Sequence, residues 1–366
     1  MSIDSAERRR LFLANAFATA GERRLAAIIA AATFGLFAAV VPFVRVPLAQ
    51  FPAFIPSYEA ALFFIDLITA VLLYEQFVRV RLPALLVLAS GYLFDAMLIV
   101  PHALSFPGAF AASGLLGGGP QTTAWLYTFW HGGFPLFVIG YALLRRRNDR
   151  EAAGSTASLA IIAAIVGVAA LALLLLMLAT SGHDHLPVIM QGPDYSLMVT
   201  KGVSPAIWLI TFAACIALWP SRERVMDLWL LVVMWVWLYD IALSAVIGSS
   251  RFDLGFYAGR IFGLIAASFL LVTLMVEVAR LYAGAISAVE HAEHRLADLM
   301  RRQARADTFG VDKQEGAFVL RQNIVRFQSL LAARTADDPE RASIAQLLAE
   351  EEAKLRTVEG EGGALH

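Results

Sequence analysis

Apolar segments alternate with short polar connections along the first 280 residues of the chain. Each segment is close to the roughly 20 residues that an α-helix needs to cross a bilayer. They lie at 25–42, 55–78, 83–103, 122–144, 157–180, 203–219, 226–248 and 254–280. The pattern predicts an all-α fold: a polytopic membrane helix bundle with eight transmembrane helices.

The eighth apolar segment continues without proline into the polar stretch "GAISAVEHAEHRLADLMRRQARAD". Along it, apolar residues recur at alternating four- and three-residue steps, with Glu293 as the one polar break. This is the heptad pattern by which two helices pair in a coiled coil. The sequence therefore predicts a coiled-coil-like cytoplasmic helix and favours a homodimer. The predicted seam consists of Met275, Ala279, Tyr282, Ile286, Val289, Leu296 and Met300.

Beyond Arg305 the composition is that of a soluble protein. Residues 306–316 are interpreted as a linker, followed by two amphipathic helices on either side of Asp338-Pro339, a typical helix-start signal. Such a helical hairpin is too small to bury much core alone, so we expect a cytoplasmic partner or a second copy to dock on it. The predicted organisation is an N-terminal segment at 1–20, a membrane domain at 21–282, a signalling helix at 283–305, and the hairpin with a disordered tail at 306–366.

Positively charged residues collect on one side of the predicted membrane. That side holds the N-terminal arginines, the connection with Arg79, the basic stretch 145–150 and the connection with Arg222, whereas the other side holds Arg45, Lys201 and Arg251. Cytoplasmic connections of membrane proteins are enriched in Lys and Arg. The arginine-rich side is therefore predicted to be cytoplasmic, and an even number of spans places both termini there.

Composition supports membrane insertion and excludes several kinds of site. The chain is 59% apolar and 16% charged, with a net charge of -1, whereas soluble domains are about half apolar and a quarter charged. The single Cys215 excludes a disulfide framework and a cysteine-rich zinc site. The sequence has no P-loop, no nucleophile elbow and no Gly-Gly-Asp-Glu-Phe motif. We expect neither catalytic activity nor nucleic-acid binding, and membrane lipid is the expected surrounding.

Ionisable side chains within the apolar segments are the main candidates for a ligand-binding site. Each costs roughly 3 kcal/mol or more in the hydrocarbon, so each needs a partner or a water-filled cavity. Four of them lie at a similar depth, with Asp66 slightly deeper, and Trp130 adjoins one of them. We predict that Asp240 and Arg260 pair. Polar contacts that only fix helix packing are the alternative interpretation. The candidates are Asp66, Asp95, Trp130, His131, Asp240 and Arg260.

Two long connections on the opposite side from the arginines, 104–121 and 181–202, are typical of loops that cover or line a site. His102, His183 and His185 lie in or beside them and are candidate ligands of a metal ion, since imidazole and carboxylate groups bind zinc, copper or iron. Histidines two residues apart in a loop are also typical of solvated or loop-bracing side chains, so both interpretations stay open.

Long runs of unusual polar and aromatic order carry a family resemblance. They are "DLITAVLLYEQF" from Asp66, "LLVLASGYLFDAMLIVPHALSFPG" from Leu85, "GGGPQTTAWLYTFWHGGFPLFVIGYALL" from Gly117, and "DIALSAVIGSSRFDLGFYAGRIFGL" from Asp240. Over residues 20–282 the chain resembles MASE4, a bacterial membrane sensor domain usually fused to a histidine kinase or a diguanylate cyclase. The resemblance implies signal perception in the bacterial inner membrane and supplies no catalytic residues.

Together these features predict a multi-pass inner-membrane sensor that lacks the usual enzymatic output of the resembling family. An unidentified small molecule or redox signal would bind at an intramembrane pocket facing the periplasm, and the last transmembrane helix would relay it to a cytoplasmic signalling partner. Two alternatives stay open: a membrane transporter with the buried acids as a proton relay, and a membrane protein that binds a metal ion or haem. The sequence does not identify a cofactor.

Overall fold

The structure is a computed structural model that describes residues 16–116, 118–147, 156–248, 250–333, 335 and 339–360. Contacts divide the chain into two compact units, on either side of the bond between Arg280 and Leu281. Within the described ranges the β-structure is limited to isolated bridges. The long helices are α1 (Ala20–Val40), α2 (Phe54–Val80), α3 (Pro83–Ser105), α4 (Thr122–Arg147), α5 (Ala157–Ala179), α6 (Val203–Leu218), α7 (Val225–Ile241), α8 (Leu254–Ala332) and α9 (Arg341–Gly360).

Seven of the described helices are long and apolar enough to cross a membrane: α1, α2, α3, α5, α6, α7 and the first part of α8. The fourth predicted segment forms α4, whose 26 residues are also long enough for a bilayer. Its sequence is less apolar, because it contains His131, two adjacent glycines and several threonines. The prediction of an all-helical, multi-pass membrane bundle is confirmed, and the eight predicted segments match α1 to α8 in order.

Local sequence signals account for several helix ends. Thr19 caps α1 through the amide of Glu22, and the Glu22 side chain accepts from the Thr19 amide in return. Helix α2 ends at Arg81, whose positive φ of 58° breaks the helical path just before Pro83 starts α3. At the start of α8, Asp253 accepts a hydrogen bond of 2.7 Å from the Phe256 amide, as an N-cap does.

Helices α3 and α7 form the interior of the first unit. Helix α3 packs against α2, α4 and α5, and α7 packs against α1 and α6. Most residues of α3 and α7 are buried, whereas α1 and α5 are exposed over most of their length although they are strongly apolar. An apolar helix with an exposed surface is stable where lipid surrounds it, so α1 and α5 are the lipid-facing walls of the bundle.

The two ends of the bundle differ in structure. At one end, which we call the loop end, the connections between helices bind one another: Gln121 donates to the Met190 carbonyl, the Arg251 amide donates to the Pro193 carbonyl, and Leu254 donates to the Val46 carbonyl. At the other end, which we call the arginine end, Arg145 and Arg146 lie beside the connection between α6 and α7.

A buried polar group holds the arginine end together. The Tyr141 hydroxyl donates to the Asp227 carboxylate, and Arg145 Nε lies 3.8 Å from the same carboxylate. Backbone hydrogen bonds also join Ala18 to Glu223 and Val225 to Ala16, which attach the residues before α1 to the start of α7. Breaking such a buried charged group is strongly destabilising, so these contacts hold the arginine end of the bundle in one arrangement.

The second unit contains the C-terminal part of α8 and helix α9, which run antiparallel. Arg321 pairs with Glu359 at 2.7 Å, Asn323 donates to Glu351 at 3.0 Å, and Arg341 donates to the Leu331 carbonyl at 3.0 Å. The two helices therefore form a hairpin, as the amphipathic pattern predicts.

The linker predicted over 306–316 is wrong, because α8 continues through it to Ala332. The segment contains no proline. Its two glycines, Gly310 and Gly316, weaken a helix without ending it. The predicted segment before residue 16, the predicted cap at Asp338 and the predicted disordered tail from 361 lie outside the described residues.

Two glycines bring α3 and α4 into close contact. A Cβ on Gly133 of α4 would lie 2.3 Å from Cε1 of Phe94, and a Cβ on Gly91 of α3 would lie 2.8 Å from Cβ of Phe137. Each glycine thus accepts an aromatic side chain of the facing helix, the close approach that small residues allow between membrane helices.

Replacing Gly133 with alanine should therefore destabilise the bundle by about 1–3 kcal/mol, the usual cost of overpacking a filled core. The matched control is Gly167→Ala on α5, where a Cβ would meet nothing within 4 Å. Thermal unfolding of the detergent-solubilised protein measures the difference. Equal midpoints for the two variants would contradict the close packing of α3 on α4.

Candidate functional site

Four buried side chains form a hydrogen-bonded group between α4 and the end of α7. We call Tyr127, His131, Asp240 and Ser244 the polar cluster. His131 Nε2 lies 3.4 Å from Asp240 Oδ2, and the Ser244 hydroxyl donates to the Asp240 carbonyl at 2.8 Å. Because the Ser244 proton is used there, Tyr127 is the donor in its 3.0 Å contact with Ser244. In this part of the cluster, Tyr127 of α4 therefore donates to Ser244, and Ser244 donates to Asp240 of α7.

One contact of His131 indicates which of its ring nitrogens carries a proton. His131 Nδ1 lies 3.1 Å from the Tyr127 carbonyl, which only accepts, so Nδ1 carries a proton. Nε2 lies beside the Asp240 carboxyl, so each of these two side chains has a polar partner among the apolar helices.

The backbone after Asp240 has an unusual conformation. Residues Ala242–Ile247 form a π-helical turn that ends at Gly248. Such turns are rare and occur frequently at functional sites. This one follows directly after Asp240 and contains Ser244, so it positions two of the four members of the polar cluster.

Helix α8 meets the polar cluster through glycines spaced four residues apart. A Cβ on Gly259 would lie 2.8 Å from Asp240 Oδ1, and a Cβ on Gly263 would lie 3.0 Å from Asp240 Oδ2. The Asp240 carboxyl thus rests on bare backbone of α8, with the Tyr58 hydroxyl on the same surface. A displacement of α8 along or around its axis changes the space available to this carboxyl.

The predicted pair between Asp240 and Arg260 is wrong in the described part of the structure. Asp240 pairs with His131, while Arg260 donates to the Phe256 carbonyl at 3.0 Å and places its guanidinium 3.8 Å from the centre of the Phe256 ring. The prediction assumed that helices joined by a short connection bring their charges together. The π-helical turn and the close glycine contact instead leave Asp240 facing α4.

Helices α2 and α3 bring four ionisable side chains together in two layers. On α2, Glu59 and Asp66 are seven residues apart, and on α3 so are Asp95 and His102. Seven residues make nearly two helical turns, so each pair shares one face, about 10 Å apart along the axis. Because the helices are antiparallel neighbours, His102 meets Glu59 at 2.7 Å, and Asp95 lies within electrostatic reach of Asp66.

The deeper of these layers contains carboxyl groups without hydrogen-bond partners. Among the described residues, both oxygens of Asp95 and Oδ2 of Asp66 lack such a partner. The Tyr92 hydroxyl also lacks one. The indole N–H of Trp130 interacts with Asp95 but does not reach hydrogen-bond geometry. The Trp130 ring lies 4.4 Å from that of His131, so it connects this layer to the polar cluster.

A small cavity of about 40 Å³ adjoins the polar cluster at the loop end. Two members of the cluster, Tyr127 and Ser244, contribute to its wall, and so do Arg251 and Arg260. We call it the loop-end cavity. Arg251 stacks over the ring of Phe106 at 4.7 Å. Burial lowers the pKa of Arg251 to about 10, and the charge of Arg260 acts in the same direction, so Arg251 stays protonated at neutral pH.

The three candidate metal ligands lie in different surroundings. His102 is buried, pairs with Glu59 and borders the loop-end cavity, whereas His183 and His185 lie on a short 3₁₀ turn. His183 contacts Asp184 at 3.2 Å and faces the backbone of Gly119. Within the described ranges, no three His, Cys, Asp or Glu side chains are close enough together to hold a metal ion.

Comparison with known protein families matches residues 49–282 to MASE4, described as a membrane-associated sensor, integral membrane domain. The match covers α2 to α7 and the membrane part of α8, and therefore most of the chain. The chain belongs to the MASE4 family. A search of curated proteins and a search of solved structures found no match. MASE4 domains are membrane sensors, and the site described above lies entirely within the matched residues.

Sequence reasoning missed several residues of this MASE4 site. Glu59 carries a detectable signal, because it is ionisable, lies in an apolar segment and is seven residues from Asp66. Tyr127, Ser244 and Arg251 carry no such signal, since hydroxyl groups are common in membrane helices and a loop arginine is expected to be solvated. Of the predicted residues, the structure brings His131, Asp240 and Trp130 together and places Asp66 beside Asp95.

The hydrogen bond between Tyr127 and Ser244 should be measurable by a double-mutant cycle. We expect Tyr127→Phe and Ser244→Ala each to destabilise the protein and to show a coupling energy of about 0.5–2 kcal/mol, because they share one buried contact. Denaturant unfolding in mixed micelles measures the free energies. The control cycle pairs Tyr127→Phe with Ser90→Ala, since Ser90 contacts Tyr74 instead. Additive effects in the first cycle would show that the contact does not form.

Proposed function

We propose that this MASE4 protein is a non-catalytic inner-membrane receptor. A small molecule binds in the loop-end cavity, α8 changes position, and the second unit passes the change to a cytoplasmic signalling partner. Membership of a sensor family supports the general role. The observation that carries the specific mechanism is the contact of Asp240 with Gly259 and Gly263, because it joins the polar cluster to the last transmembrane helix.

The loop-end cavity supports ligand perception through its position. Its wall includes Arg260 of α8, Tyr127 of α4 and residues of the two long connections. A ligand in this cavity therefore contacts α8 and the polar cluster at once. A ligand shifts an equilibrium only by its difference in affinity for the two states. A binding site whose wall includes the moving helix meets that requirement.

A second observation supports transmission by a dimer. The apolar seam of α8 beyond the membrane part is exposed in the single chain, with Tyr282 at 69% and Ile286 at 60%. A heptad seam of this kind is stable when a second copy covers it. We therefore propose a homodimer through this part of α8, with a cytoplasmic partner docking on the hairpin.

Transport is the competing function, and the acid pair favours it. Asp66 and Asp95 are buried in the membrane part with unpartnered oxygens, as a proton relay requires. Transport does not require the polar cluster to influence α8 beyond the membrane. The two functions therefore differ in whether a change at Gly263 reaches the second unit.

The orientation that the proposal needs can be tested with single cysteines in a Cys215→Ala background. Asp184 has 87% of its side chain exposed at the loop end, and Gln328 is exposed in the second unit. We expect an impermeant maleimide to label Asp184→Cys in intact spheroplasts and Gln328→Cys only after permeabilisation, because the arginine-rich end faces the cytoplasm. The parent with buried Cys215 is the unlabelled control. Labelling in the reverse order would overturn the proposed sidedness.

Relay through α8 can be tested by disulfide crosslinking in native membranes. We expect Ile286→Cys on the seam to crosslink two copies and Ala288→Cys on the opposite face not to. Adding Gly263→Ala should change the Ile286→Cys yield about twofold, which needs only about 0.4 kcal/mol of differential stabilisation. The reason is that the new Cβ would lie 2.9 Å from the Tyr58 hydroxyl and 3.0 Å from Asp240.

The matched control is Gly284→Ala, on the same helix, where a Cβ would meet nothing within 4 Å. It should leave the yield unchanged. Identical yields for both glycine variants, in protein that retains its thermal midpoint, would refute the relay and favour transport.

A further inference from the structure

Two guanidinium groups share the loop-end cavity. Arg251 comes from the connection before α8, and Arg260 lies two turns inside the helix. Arg260 is 8% exposed, and the hydrogen bond described for it goes to the Phe256 carbonyl. A guanidinium has five N–H donors, so others remain for a bound group. The two positive charges repel each other across the cavity. An anion between them would remove that repulsion.

The acids near the cavity already have other partners. Asp240 contacts His131, Glu59 contacts His102, and Asp253 accepts backbone hydrogen bonds at the start of α8. Among the described residues, no carboxylate forms an ion pair with Arg251 or Arg260, whose described contacts are with aromatic rings and backbone. The part of the chain that the structure describes therefore gives this pair of cations no counter-ion at contact distance.

A third donor borders the same cavity. Tyr195, on the connection between α5 and α6, lines the cavity and is 5% exposed, and its hydroxyl has no hydrogen-bond partner among the described residues. A buried hydroxyl without a partner costs free energy, which a bound acceptor would recover. Burial raises the pKa of Tyr195, so the hydroxyl keeps its proton and acts as a donor.

Part of the remaining wall is apolar, although His102, Thr123, Tyr127 and Ser244 also line it. Met190, Met198, Ala245 and Phe256 face the cavity beside the three donors. A fully hydrated anion such as phosphate would lose its water against these side chains without gaining hydrogen bonds there. A carboxylate with a short hydrocarbon or aromatic portion suits both parts of the wall, since guanidinium binds carboxylate in a bidentate manner.

We infer that the loop-end cavity binds a small organic monocarboxylate. This inference rests on the proposed receptor function and names the chemical class of its ligand. The carboxylate accepts from Arg251, Arg260 and Tyr195, and the hydrocarbon portion contacts the methionines. Bound in this way, the ligand joins the connection between α5 and α6 to the first turns of α8.

The test uses the full-length protein in detergent, titrated with acetate, butanoate and benzoate by calorimetry. Butyramide and benzamide are the neutral controls of the same shape, and inorganic phosphate is the control for an anion without an apolar portion. We expect at least one carboxylate to bind and to raise the thermal midpoint, and the amides and phosphate to bind at least about tenfold more weakly, because the charged hydrogen bonds carry the affinity.

Single substitutions locate the site. Arg251→Gln and Arg260→Gln should each weaken carboxylate binding about 10- to 100-fold, and Tyr195→Phe about fivefold to tenfold, since a charged donor contributes more than a neutral one. Arg251→Lys keeps the charge without the bidentate geometry, so its affinity for the carboxylate should lie between those of the wild type and Arg251→Gln. Lys201→Gln is the matched control, because Lys201 is an exposed cation of the loop end that does not line the cavity.

Several results would overturn the inference. They are equal binding of amide and carboxylate, tighter binding of phosphate, an equal loss with Lys201→Gln, or no binding of any probe to protein with a normal thermal midpoint. The proposed relay fails separately. If a carboxylate binds but leaves Ile286→Cys crosslinking unchanged, the ligand class is supported and the relay is refuted. If Gly263→Ala changes crosslinking but no carboxylate binds, the relay is supported and the ligand class is refuted.

Discussion

The contact on which the first unit depends is that of the Asp240 carboxyl with the bare backbone of α8 at Gly259 and Gly263. A carboxyl group in a membrane bundle needs a polar partner, and His131 of α4 lies 3.4 Å from this one. The same carboxyl therefore constrains three helices. Any change in α4, in the π-helical turn or in α8 therefore alters the space and the partners that Asp240 has.

Around this centre the polar groups are arranged by helix periodicity. The seven-residue spacing on α2 and α3 places Glu59 with His102 near the loop end and Asp66 with Asp95 one layer deeper. Trp130 and its ring contacts join the deeper layer to the polar cluster. The interior is thus a continuous set of polar and aromatic side chains within lipid-facing walls formed by α1 and α5. The arrangement explains how the low polarity of the surface and the high polarity of the interior coexist in one bundle.

The loop-end cavity gives this interior a connection to the loops. Its wall combines two arginines, an unpartnered tyrosine hydroxyl and apolar side chains, and it shares Tyr127 and Ser244 with the polar cluster. Occupation of the cavity and the hydrogen bonding of Asp240 are consequently linked by side chains common to both. This sharing gives the receptor proposal a physical route from a bound molecule to α8 that needs no long chain of intermediates.

The sequence alone determined the membrane class, the order and approximate bounds of the helices, and the family, because lipid requires long apolar segments and these are visible in one dimension. It also identified His131 and Asp240 as buried polar groups. Their partners were decided by tertiary structure: the pairing of Asp240 with His131 instead of Arg260 depends on the π-helical turn and on glycine contacts across helices. The placement of two arginines in one cavity likewise depends on packing, which no local pattern specifies.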